Sequence, residues 1–146
     1  MENTIEISID IAASPERVWD TLINPDLVEQ YMYGARTESD WQEGSELLYT
    51  IMMEGTKLTV VNGKILSFDA PRLLKHTLFP TTADYPNIEE NHLHISYTLT
   101  PTEKGTKLHI FQEGYERVAH GEKRYQDTLD GWEMVWEKLK EVAEGG

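Results

Sequence analysis

The sequence predicts an α+β fold in which a curved antiparallel sheet of about six or seven strands wraps around a long C-terminal helix. Three observations predict it. The first segment alternates, with Ile5, Ile7, Ile9 and Ile11 separated by Glu6, Ser8 and Asp10, the period of a strand with one face on a core and the other in water. From Arg36 to Gln112 no segment holds a 3.6 period, while β-rich runs bounded by turn residues recur. The last segment changes period: Tyr125, Leu129, Trp132, Trp136, Leu139 and Ala143 form one apolar stripe on a helix of about five turns or more.

After the first strand, Ser14 is an N-cap, Pro15 a first-turn proline and Glu16 an early acid, and Val18, Trp19, Leu22 and Ile23 then recur at helical spacing. Asn24 and Pro25 interrupt this helix. Pro25 opens a second short one whose apolar residues are Leu27, Val28, Tyr31 and Met32, ending near Gly34. The expected strands are Glu46 to Met53, Lys57 to Leu66, Leu73 to Phe79, His92 to Thr100 and Thr106 to Gln112. Between them lie Glu43-Gly44, Glu54-Gly55, Asp69-Ala70-Pro71 and Glu103-Lys104-Gly105, all composed of turn-forming residues, so the strands should form a meander of hairpins. The stretch from Pro80 to Asn91 is longer than a turn and is the segment expected to act as a lid.

At 146 residues the chain has the length of one domain, taken as 1–146, and its aromatic content is enough to fill a core. No stretch approaches the roughly 20 consecutive apolar residues of a membrane crossing, and the start lacks the basic head and apolar run of a secretory signal. The expected location is therefore cytoplasmic. With no Cys, disulfides, thiolate ligands and cysteine nucleophiles are excluded together. The formal net charge of −13 repels phosphate backbones and anionic lipid headgroups, which argues against nucleic acid or membrane insertion. The acidic excess is spread along the chain, as expected of a solvated surface that keeps a protein soluble and either monomeric or weakly dimeric.

Several strings carry a family resemblance: IAASPERVWDTLINPDLVEQY after the first strand, the SDWQEGS turn, the VNGKILSFDAPRLL hairpin, the FQEGY end of the last strand and GWEMVWEKLKEV on the final helix. In this order the chain resembles the START-like (SRPBCC) superfamily with its helix-grip, Bet v 1-like fold, and within it the branch related to the activator of the Hsp90 ATPase. Many relatives carry a Trp at the end of the second short helix, where this chain has Tyr31 and Met32, a change in one pocket wall. The resemblance implies a cavity between sheet and helix. It does not select a function, because the superfamily hosts lipid carriers, polyketide cyclases, hormone binders and chaperone partners.

The apolar parity of each strand gives the expected cavity lining. Tyr49, Ile51 and Met53, then Val61, then His76 and Leu78, then Ile95 and Tyr97, then Gln112 face inward, opposite Tyr125, Trp132 and Trp136 on the helix. Trp132 and Trp136, one turn apart, are by area alone more often core filling than cavity wall, and the two roles are compatible. His76 is the only inward histidine and has no sequence-local carboxylate. His92, His94 and His109 fall on the outer parity, where a sheet is poorly suited to a closed metal shell, so neither a metal nor a cofactor is expected. The primary expectation is non-catalytic binding of a small apolar or amphipathic molecule, lipid-like, polyketide-like or aromatic. The alternatives are a chaperone-associated adaptor and a cyclase- or hydrolase-type enzyme using His76 and Tyr97.

Overall fold

The structure is a computed structural model that describes residues 4–145; the ends of the expected 1–146 span lie outside the described residues. Seven strands form one curved antiparallel sheet: β1 (Thr4–Ile11), β2 (Arg36–Ser39), β3 (Glu46–Met53), β4 (Thr56–Asp69), β5 (Leu73–Pro80), β6 (Leu93–Thr102) and β7 (Gly105–Glu113). Their order is β1-β7-β6-β5-β4-β3-β2, so only β1 leaves the sequential meander to pair with β7. Helices α1 (Pro15–Ile23) and α2 (Pro25–Val28) follow β1, and α3 (Gly121–Glu144) closes the chain.

Helix α1 begins as its sequence requires, with the Ser14 hydroxyl accepting from the Arg17 amide. Helix α2 is shorter than its apolar spacing suggests. It ends at Val28 and passes through single turns to Tyr33 and Gly34, both left-handed at φ 54° and 84°. Two consecutive left-handed residues cannot continue a right-handed helix, so the chain turns out toward β2. That short strand, Arg36–Ser39, was not among the expected runs, since its composition, Arg-Thr-Glu-Ser, has no apolar alternation.

Strand β4 is longer than expected and carries two bulges. Tyr49 pairs with Val61 and Thr50 with Thr59, leaving Val60 extra; Ile65 pairs with His76 and Ser67 with Lys75, leaving Leu66 extra. Each extra residue bends the strand and raises its twist, which curls the sheet toward α3.

The main core joins Val18, Trp19 and Leu22 of α1 and Val28 of α2 to Tyr97, Leu99, Leu108 and Ile110 of the sheet and to Val135, Trp136, Leu139 and Val142 of α3. Complete burial of a side chain such as Leu139 contributes about 2 kcal/mol. The buried arc of α3 departs from the expected stripe. Val135 and Val142 enter it and Leu129 remains 44% exposed, because a helix packed in a curved sheet buries an arc wider than one line of residues. A second cluster of Ile5, Leu93, Tyr115 and Val118, with Tyr125 against it, sits under the start of α3.

The loop from Pro80 to Asn91 contains one 3-10 turn, Glu89–Asn91, and is held to the segment leading into α3 and to the first turn of α3 itself. Arg124 Nη1 donates to Asn91 O at 2.8 Å, Arg117 Nη2 to His92 O at 2.9 Å, and Ala119 N to Asn91 Oδ1 at 3.0 Å. Tyr85 from the loop lies over the Arg124 guanidinium, 5.1 Å from ring centre to Cζ.

Candidate functional site

A cavity of about 370 Å³ lies between the inner faces of β3 to β6, the turn after α2, and α3. Its walls are mainly apolar. Ile51, Val60 and Val61, Leu78 and Ile95 come from the sheet, Met32 and Ala35 from the turn and Trp132 from α3. Five side chains bring polar atoms: Tyr33, Tyr49, His76, Tyr97 and, through its indole N–H, Trp132. Tyr33 is 77% exposed and marks the rim, its hydroxyl 3.5 Å from the Gly131 carbonyl of α3.

His76 sits in the middle of β5 and is 2% exposed. Its Nδ1 lies 2.8 Å from the Thr77 carbonyl oxygen. A carbonyl only accepts, so Nδ1 carries the proton and Nε2 is a bare acceptor. Nε2 is buried and has no protein partner. Desolvation lowers the imidazole to a pKa of about 4, so it is neutral at physiological pH. Tyr97 and Tyr49 flank the ring, with centroids 6.0 Å and 6.3 Å away. Burial raises both phenols above their ordinary value. Tyr97 meets the edge of Trp136 at 6.1 Å, and Trp136 meets Trp132 at 4.8 Å.

Of the residues expected to line the cavity, Tyr49, Ile51, Val61, His76, Leu78, Ile95, Tyr97 and Trp132 do so. Trp136 is buried one layer behind them as core. Met53 has the expected parity, but as the last residue before the Glu54-Gly55 turn it is 54% exposed and outside the wall. Parity fixes the face, not how far along a strand that face is covered. Gln112 faces inward between Ile5 and Ile95, with both amide atoms buried and unpartnered, and it too is outside the wall. Tyr125 packs on Tyr115 at 5.1 Å in the second cluster. The expected lid is displaced from this site: no residue of the Pro80 to Asn91 loop lines the cavity, and the loop's backbone carbonyls at Glu90 and Asn91 accept from Arg117 and Arg124 instead.

Three wall residues escaped the sequence reading. Val60 shares the wall with Val61 through the bulge, and alternation excludes two neighbours from one face. Tyr33 and Ala35 belong to a segment read as the end of a helix. On the outer face, His92 binds Thr77 Oγ1 and Asn87 Oδ1, and His109 binds Glu6. No group of three metal-ligating side chains is assembled among the described residues. Nor, among them, is any helix long and apolar enough to cross a membrane.

Comparison with known proteins agrees with this architecture. The solution structure of ChR145 from Cytophaga hutchinsonii is 29% identical, with a TM-score of 0.74 over 99% of this chain and 97% of that one. Protein MLL2253 from Mesorhizobium loti is 23% identical, with a TM-score of 0.72 over 95% of each chain. Protein NE0264 from Nitrosomonas europaea is 17% identical, with a TM-score of 0.72 over 98% of this chain and 95% of that one. These last two show the fold alone. No curated protein matches the chain at a significant level. Residues 12–144 match the family described as Activator of Hsp90 ATPase homolog 1-like protein. The chain therefore belongs to that family, in the START-like branch that its own strings resemble.

Proposed function

We propose that the protein is a non-catalytic binding domain that encloses a small apolar or amphipathic molecule between its sheet and α3. The observation that carries this reading is the mainly apolar cavity of about 370 Å³ into which a few polar groups converge. That size lies within the roughly 300–1,000 Å³ of small-molecule sites, and apolar walls with sparse polar atoms favour enclosure of a hydrophobic body.

The wall chemistry favours binding over catalysis. It contains no carboxylate, lysine, arginine, serine or threonine. His76 spends its Nδ1 proton on a backbone carbonyl, and a pKa of about 4 makes it a weak base at neutral pH.

The test is native mass spectrometry of the freshly purified protein, with identification of whatever leaves on denaturation, beside thermal denaturation with a panel of apolar molecules. The expected result is a co-purified small molecule or a raised Tm, abolished when Val61→Phe fills the cavity. A clean mass together with a Tm that no member of the panel moves would count against enclosure.

A further inference from the structure

The unpartnered imidazole nitrogen of His76, a residue of the cavity wall, narrows the ligand class. Resting on the binding reading above, we propose that the cavity selects uncharged molecules whose apolar body bears a hydrogen-bond donor, an alcohol or phenol hydroxyl or an N–H, and that this donor is received by Nε2 of His76.

The argument runs from atoms to class. Nδ1 is committed to the Thr77 carbonyl, so Nε2 presents a lone pair and no hydrogen. It is buried without a protein partner, on a residue whose ring lines an apolar space. A buried acceptor left unpaired costs free energy, and a ligand donor placed against it recovers that cost, whereas an ether oxygen or a methyl group does not. The same wall has no Lys or Arg, so an ionised carboxylate would enter without a counter-charge, the most costly kind of burial. Burial also keeps Tyr49 and Tyr97 as neutral phenols, so the space holds no fixed charge at neutral pH. Fatty acids in their ionised form are therefore excluded from the preferred class, while alcohols and phenols of similar length are included.

Gly63 supports the geometry from the neighbouring strand. A Cβ there would collide with the Thr77 carbonyl oxygen, so glycine lets β4 approach the acceptor that fixes the imidazole tautomer.

The test uses three probes of one skeleton, 1-octanol, octyl methyl ether and octanoate, titrated into the full chain at pH 7.5 by calorimetry. The 15N resonances of the His76 ring are followed in parallel. The expected result is octanol binding at least about tenfold more tightly than the ether, with octanoate weakest, and movement of the Nε2 resonance with octanol only. In His76→Phe the octanol and ether affinities should converge; the wild-type ranking and the ring resonance do not depend on that variant folding. Ether or octanoate binding as tightly as octanol overturns the donor rule while leaving enclosure intact. If none of the three binds, enclosure itself fails, and the donor rule with it.

Discussion

Nδ1 of His76 lies 2.8 Å from the carbonyl oxygen of Thr77, the next residue in the chain, on the inner side of β5. This contact fixes the imidazole tautomer without a charged partner, while burial of the ring, which lowers its pKa against the opposing pull of the contact, couples the cavity to the stability of the protein through pH.

The unfolded histidine titrates near 6.5 and the folded one near 4. Between these values the unfolded chain binds the proton and the folded chain does not, so stability is complete above pH 6.5 and is lost as pH falls toward 4. Urea denaturation at pH 7.5 and 5.0 should show about 2 kcal/mol of loss from this group. His92 and His94 are also lowered by burial and act in the same direction, so the wild type should be compared with His76→Phe, in which the extra slope disappears. Equal slopes in the two proteins would remove the assignment.

Two glycines should respond oppositely to alanine. At Gly63 the added Cβ meets the Thr77 carbonyl, and forcing β4 from β5 is expected to cost about 3 kcal/mol, with disturbance of the His76 ring resonances. At Gly131, within α3, a Cβ meets nothing within 4 Å, and alanine should gain about 0.5 to 1 kcal/mol from its higher helix propensity. Thermal denaturation of both variants checks the pair.

Much of this architecture is legible in the sequence, and the illegible part has identifiable causes. The alternation at Ile5 to Ile11 and the turn residues at Glu54-Gly55 and Glu103-Lys104-Gly105 locate strands because burial and backbone geometry act locally there. Strand β2 was missed because its two partners supply the order that its composition does not: β3 pairs its backbone, and the Ile23 carbonyl accepts from Thr37 Oγ1 at 2.6 Å. The cavity was half legible. Tyr49, His76 and Tyr97 follow from parity, but the bulge at Val60 is decided by how two strands fit, and nothing in a run of Thr-Val-Val announces it. Whether Nε2 of His76 meets a partner depends on groups distant in sequence.

Arg17 joins the first helix to the end of the last. Its Nη2 donates to the Val142 carbonyl at 2.8 Å and its Nε to that of Ala143 at 3.2 Å, at a helix terminus with no basic residue in its own last turn. Arg17→Met keeps the stem and removes the donors. It should lower stability by about 1 to 2 kcal/mol in urea denaturation, with the last turn of α3 exchanging its amides faster.

Arg124 holds the long loop. It is 9% exposed, donates to Asn91 O, lies under Tyr85 and has an unpartnered Nη2. In Arg124→Ala the amides of Asn91 and His92, which donate to Ile88 and Glu89, should exchange at least about tenfold faster, while the centre of the sheet keeps its protection. Uniform acceleration across the protein would show that Arg124 supports the whole fold instead.

The pairing of β1 with β7 also sets an order of assembly. Strands β2 to β7 each find a neighbour in the adjoining stretch of chain, whereas Thr4 must wait for Glu113 and Ile11 for Thr106. During synthesis the isoleucine-lined first strand leaves the ribosome early and meets its partner late. Until then it is a ready-made edge for another nascent chain, so the segment that completes the native sheet is also the one most in need of shelter while the protein is being made.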